Sequence, residues 1–176
     1  DYLRKNNLPV CCAIASKKTG EKLLHSGSLI VTLFEFASGE PVVLTEWRFM
    51  TDKAIVVGLG KWLGLFHILT RQFAKEHPDF IARAREWTEL HDGVLAEIPV
   101  CDVDQKLRSD PSRYGLIHGD VNLSNFYWSA ELGLPCMFDW DQVQKSWFEY
   151  DLSSPIWTVV MLHGAGSPID NSPVPQ

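Results

Sequence analysis

Asp120 and Asn125 stand five residues apart in the segment GLIHGDVNLSNFYW, and a second acid, Asp139, follows the apolar run of PCMF. A carboxylate at the end of a stiff, buried strand is held firmly yet faces an open crevice, as a proton acceptor or a cation ligand requires. Asp120 can receive a hydroxyl proton. The amide oxygen of Asn125 and the carboxylate of Asp139, fourteen residues further on, can hold a hard cation such as Mg²⁺, which takes oxygen ligands and keeps several waters. Transfer of a phosphoryl group asks for those parts: a positioned hydroxyl, a group to accept its proton, and cations that neutralise phosphate. Asp and Asn also favour ordinary turns, through local hydrogen bonds. Asp139 and a further acid, Asp151, follow the loop, and taken alone the loop reads as a plain turn.

These residues must be carried by short strands. The spacing predicts a strand at Leu116–His118, the loop, a strand over 125–128, a turn at Gly133-Leu134-Pro135 and a strand over 135–141. Upstream, Asn6, Asn7 and Pro9 end an opening helix, 10–16 (VCCAIAS) reads as a strand, and KKTGEK supplies a hairpin turn. The run SLIVTLFEFASGEPV is a second strand that stops at Ser38-Gly39. From Asp52 to Glu76 the period becomes helical, with Ile55, Leu59, Leu63, Phe66 and Phe73 on one face. Pro78 and Asp79 suit the first turn of another helix reaching about Leu95. Gly58, Gly60 and Gly64 imitate a nucleotide loop, but no strand precedes them, so close helix packing accounts for them better. His67 reads as a satisfied core histidine, Asn122 as a loop residue without a role, and Trp128, Trp140, Trp147 and Trp157 as core, with Trp140 close to any nucleotide.

The pattern H-G-D-x-x-x-x-N, followed by MFDWDQVQKSWFEYDL, resembles the aminoglycoside phosphotransferase and choline kinase family, in particular its stress-response Ser/Thr kinase and homoserine-kinase-like branch. The resemblance implies an α+β, protein-kinase-like fold: a partial small β lobe and hinge over 1–40, a mainly helical C-lobe over 41–165, and a disordered tail over 166–176. It implies ATP and Mg²⁺ as cofactors. Asp120 would be the catalytic base, Asn125 and Asp139 would bind Mg²⁺ and with it the nucleotide, His118 would brace the loop, and Asp151 would be structural. VTLFEFASGEP resembles the family's hinge, where Glu35 and Ala37 would pair with the adenine edge and Phe34 would line the pocket. The acceptor would be a hydroxyl of a small molecule or of protein Ser/Thr. The family also carries a phosphate-gripping Lys before the hinge and further helices after Asp151. This chain, which opens on Asp1 with what reads as the tail of a helix, is expected to be a fragment with weak or no turnover of its own.

Composition bounds the alternatives. With 176 residues, 45% hydrophobic content and seven Trp, the chain can bury a substantial core as one domain. A net charge of −6 with no basic stripe argues against a nucleic-acid partner, and no apolar run reaches the ~18 residues of a membrane span. Cys11, Cys12, Cys101 and Cys136 form no CxxC pair; buried thiols in a reducing, cytoplasmic compartment fit them better than disulfides. Oligomeric state is not legible. Two competing readings are a non-catalytic binding module that keeps the motif, and a metal-dependent hydrolase using His118, Asp120 and Asp139 as ligands.

Overall fold

The computed structural model describes residues 1–43, 46–87 and 108–163. One helical turn, α1 (Tyr2–Lys5), leads into extended chain, the hairpin β1 (Leu24–Ser26) and β2 (Leu29–Val31), and the two-residue strand β3 (Glu40–Pro41). The helices α2 (Arg48–Thr51), α3 (Lys53–Glu76) and α4 (Pro78–Arg83) follow. The strands β4 (Tyr114–Ile117), β5 (Phe126–Ser129), β6 (Leu134–Met137) and β7 (Gln144–Trp147) then precede α5 (Tyr150–His163). The pairing is antiparallel throughout: β3 on β5, β5 on β6, and β4 on β7.

Helix α3 organises the core. Asp52 caps it, its carboxylate accepting the Ala54 N–H at 3.0 Å, and so satisfies a donor that a first helical turn leaves orphaned. Ile55, Leu59, Leu63 and Phe66 are buried as their period predicts, joined by Trp62, while Phe73 is half-buried against the rings of Tyr2 and Phe80. Each such fully buried side chain contributes about 1.5–3 kcal/mol. The buried face packs on β4 and β6, the two strands that lead into and out of the site region. With 24 residues and a mean hydropathy of 1.3, α3 is long and apolar enough to cross a membrane, but its apolar face is the inner wall of this core.

Three sequence expectations change. Residues 10–16 do not form a strand: the chain switches partners at Cys12, with Cys11 N–H donating to Met137 O at 2.9 Å and Ile14 N–H to Leu33 O at 2.7 Å. The run from 28 to 42 is divided between β2, a bridge at Phe34 and β3, which begins just past Gly39 (φ +103°), where the chain lies so close to β5 that a Cβ would sit 2.3 Å from Trp128 O. The helix from Pro78 stops at Arg83 because the next residues pair with β7: Lys145 N–H donates to Arg85 O at 2.8 Å, and Glu86 pairs with Lys145 Nζ at 2.6 Å. Its expected continuation to Leu95 enters residues outside those described, as do Cys101 and the tail 166–176. Strand β7 and helix α5 were not anticipated.

The glycines of α3 also divide. A Cβ on Gly58 would lie 2.4 Å from the Trp128 ring, so close packing requires glycine there, whereas Gly60 and Gly64 face open space. Packing therefore explains only the first. Gly58→Ala should lower stability by about 1–3 kcal/mol through overpacking. Gly60→Ala, at an open helical position, should raise it by up to about 1 kcal/mol. Urea unfolding of the two variants beside the parent protein checks the opposite signs.

Candidate active site

The loop between β4 and β5 is built by alternation. Val121 and Leu123 are buried in the core, which turns Asp120 and Asn122 the other way, toward solvent-filled space. Gly119 permits the sharp entry: its φ is +85°, and a Cβ there would meet Gln142 O at 2.3 Å. Asn125 Nδ2 donates to the Asp120 carbonyl at 3.0 Å and to Asp120 Oδ2 at 2.8 Å. A carbonyl can only accept, so this contact fixes the amide orientation and leaves Asn125 Oδ1 as its acceptor end. Asn122 Nδ2 donates to the other carboxylate oxygen, Asp120 Oδ1, at 2.9 Å.

Hairpin register brings Asp139 to the same place. Phe126 opposes Met137, and one step further Phe138 N–H donates to Asn125 O at 3.0 Å. Asn125 and Asp139 therefore emerge from the same open end of the β5–β6 hairpin. Asp139 sits at φ +63°, a backbone region that Asp and Asn tolerate better than most residues. Partial burial and the neighbouring carboxylates of Asp141 and Asp120 push its carboxyl above the usual carboxylate range.

His118 is fully buried, and burial pushes its imidazole below the ordinary histidine value, toward the neutral form. Its Nε2–H donates to Phe138 O at 3.1 Å, and Nδ1 accepts the Asp120 N–H at 3.4 Å. The ring thus ties the start of the loop to the segment that carries Asp139. With both nitrogens engaged, it has no lone pair to offer a metal, which removes the ligand that the hydrolase reading needs. Beneath it lies Asp151, 1% exposed, in the first turn of α5. Asp151 accepts the N–H groups of His118 at 3.0 Å and Gly119 at 2.8 Å, and the Nε2–H of His67 at 2.8 Å. His67 is a satisfied core histidine as expected, and it also anchors the loop through Asp151.

Two cavities open on either side of these residues. One, of about 610 Å³, is lined by Phe34, Glu35, Phe36 and Ala37 on one side and by Tyr127 and Phe138–Asp141 on the other, with Cys11 between them. It has the size of a small-molecule site. The second, of about 780 Å³, is lined by Gly119, Asp120, Glu149, Tyr150, Ser153 and Trp157. Asp139 thus borders the first cavity and Asp120 the second, with buried Asn125 between them.

A profile of the phosphotransferase enzyme family (APH) matches residues 1–171. The chain belongs to that family. Amicoumacin kinase of Bacillus subtilis (strain 168) is 26% identical over 149 residues, which is 77% of this chain and 42% of that protein. Among solved structures, amicoumacin kinase hAmiN in complex with AMP-PNP, Ca²⁺ and Ami superposes with a TM-score of 0.67 at 23% identity, over 92% of this chain and 51% of that one. A microcompartment-associated aminopropanol kinase superposes with a TM-score of 0.51 at 20% identity, over 88% and 54%. The chain spans about half the length of the relatives it matches. The fold is the expected α+β, kinase-like one.

Within this phosphotransferase fold, the structure gathers Asp120, Asn125, Asp139, His118 and Asp151 as their spacing predicted, and sets Phe34, Glu35 and Ala37 along one wall of the first cavity. The Glu35 N–H, however, donates to Cys12 O at 3.0 Å, and the Glu35 side chain pairs with Arg4, so neither of those groups is left for an adenine edge. Asn122, read from sequence as a loop residue without a role, donates to Asp120, and Phe36 and Glu149, which line the two cavities, were not singled out. Trp157 is 62% exposed in the second cavity, against the expectation of a core residue, while Trp140 packs on Trp62, Phe66 and His118 beside the first. The donor set suits a hard cation: oxygen atoms only, one neutral and one anionic, beside a cavity that could bring phosphates.

Asp151→Ala should leave three donors without a partner and lower stability by roughly 3 kcal/mol, measurable by denaturant unfolding. Burial and the nearby Cys136 thiol push the Cys11 thiol up to about 12. In the native protein at pH 8, iodoacetamide should therefore leave Cys11 unmodified and label it only after denaturation, as peptide mass mapping would record.

Proposed function

We propose that this chain forms the chemical centre of an ATP- and Mg²⁺-dependent phosphotransferase that acts on a hydroxyl of a small molecule. The observation that carries this is the division of the two carboxylates: Asp139 borders the cavity walled by the hinge, and Asp120 borders the other. A nucleotide in the first cavity would have its base against Phe34, Phe36 and Ala37, with the Glu35 carbonyl rather than its N–H toward the adenine edge. Asn125 Oδ1 and Asp139 would hold Mg²⁺, which neutralises the β- and γ-phosphates when bound. Asp120 would orient the acceptor hydroxyl in the second cavity and take its proton as the transfer proceeds. His118 and Asp151 hold that loop in shape and do not touch the reactants.

The acceptor reading is finer. Asp120 gives the second cavity a carboxylate and Trp157 gives it an aromatic face, both suited to an amine-bearing alcohol, while the Glu149 carboxylate at its edge is paired with Arg113. Two relatives are named as kinases of amicoumacin and of aminopropanol, which favours a small amino alcohol over a protein Ser/Thr side chain.

A non-catalytic binding module is the competing reading, since relatives are about twice as long. Thermal unfolding of the complete gene product separates the two. Mg-ATP at a hundredfold its dissociation constant should stabilise the native state by about 2.7 kcal/mol and raise the melting temperature by several degrees. Asp139→Asn, tolerated at positive φ, should reduce that shift to the one ATP gives without Mg²⁺. No shift in either protein would leave the binding-module reading standing.

A further inference from the structure

Asn122 is a polar side chain of the 120–125 loop, half-buried against Asp120, for which neither the cation nor the nucleotide has a use. Its own partners define its orientation. The Ser124 main-chain N–H, which can only donate, reaches Asn122 Oδ1 at 2.8 Å, and the Ser124 hydroxyl donates to the same oxygen. The Nδ2 end must therefore face Asp120, and it does, at 2.9 Å from Oδ1. The main chain adds to the fit: Asn122 N–H donates to Asp120 O at 3.0 Å, and Asn125 N–H to Asn122 O at 3.1 Å.

Asp120 consequently receives one amide donor on each carboxylate oxygen, Asn122 on Oδ1 and Asn125 on Oδ2. One donor alone would let the carboxylate turn about its terminal torsion, which is soft and broad. Two donors from different residues fix that torsion. They still leave lone pairs for an incoming hydroxyl, because an ionised carboxylate has about four acceptor positions. Asn125 cannot supply both contacts, since its single Nδ2 is already shared between Oδ2 and the Asp120 carbonyl.

We infer that Asn122 is a positioning residue for phosphoryl transfer, holding Asp120 Oδ1 so that the carboxylate faces the acceptor hydroxyl at one angle. The inference rests on Asp120 being the group that receives the hydroxyl proton. Misalignment of such a group lowers the rate of the chemical step without loosening the nucleotide, because Asn122 contacts Asp120 and is not among the residues that line the cavity beside Phe34–Ala37.

Two substitutions at Asn122 test this role. Asn122→Asp keeps an oxygen to accept from Ser124 but loses the donor to Asp120, whereas Asn122→Ala loses both. The measurement is steady-state phosphate transfer from Mg-ATP by the complete gene product, with aminopropanol and amicoumacin as acceptor probes. Thermal unfolding reports folding of each variant. Asn122→Asp and Asn122→Ala should both lower kcat about 10- to 100-fold, with KM for Mg-ATP within threefold of wild type. Because Asn122→Asp also sets a second carboxylate against Asp120, the neutral Asn122→Ala variant decides: if, folded, it keeps wild-type kcat, or raises KM for Mg-ATP as much as it lowers kcat, Asn122 does not position Asp120 and the inference is overturned. No transfer by the wild type with either acceptor overturns the proposed function, and this inference with it.

Discussion

Asp151 accepts three hydrogen bonds from two separate parts of the chain at a point that water barely reaches: one from His67 on α3, and two from the main-chain N–H groups of His118 and Gly119 where β4 ends. A buried carboxylate is costly unless it is hydrogen-bonded on all sides, and this one is placed in the first turn of α5, where the helix dipole favours negative charge. The arrangement locks the left-handed Gly119 and the buried His118 together. Everything that follows in the loop inherits its position from that lock. Without it, the alternation that buries Val121 and Leu123 could still hold the loop against the core, but not aim it.

The second constraint is the register of the β5–β6 hairpin. Pairing Phe126 with Met137 leaves Asn125 and Asp139 at one end, and the Phe138 N–H to Asn125 contact and the His118 ring close that end. The hairpin is in turn pressed on α3, where Gly58 lets the Trp128 ring lie against the helix backbone. A single-residue slip would send Asp139 to the other face of the sheet. The core thus sets the distance between the two acids, while Asp151 sets the angle of the first. The division into a cavity walled by Phe34–Ala37 and a second cavity beside Asp120 is a consequence of both.

Much of this was written in residue type and spacing. Asp120 and Asp139 were legible because each follows an apolar run that must be a buried strand, Asn125 because it stands five residues after Asp120 where the next strand begins, and the face of α3 from its period. Asn122 was not, because a polar residue in an Asx-rich loop looks the same whether it donates to a neighbour or to water. Only the Ser124 N–H contact shows which end of its amide faces Asp120. His67 was read correctly as satisfied, yet its partner lies 84 residues away and no local pattern could name it. Strand β7 escaped because QKSW alternates buried Gln144 and Ser146 with half-buried Lys145 and Trp147, the reverse of an apolar-in pattern. Trp157 was assigned to the core on hydrophobicity alone, and its exposure beside Asp120 follows from where α5 lies.

The central claim is that Asp120 receives the proton of an acceptor hydroxyl while phosphate is transferred past it. Phosphorus NMR of Mg-ATP incubated with aminopropanol or amicoumacin and the complete gene product tests it most directly. The wild type is expected to produce ADP and a new phosphomonoester signal in equal amounts. Asp120→Asn, which keeps the side chain's shape and one acceptor oxygen, is expected to slow formation of that signal by about 100-fold or more while still binding Mg-ATP. Phosphomonoester formation at the wild-type rate by Asp120→Asn would contradict the account.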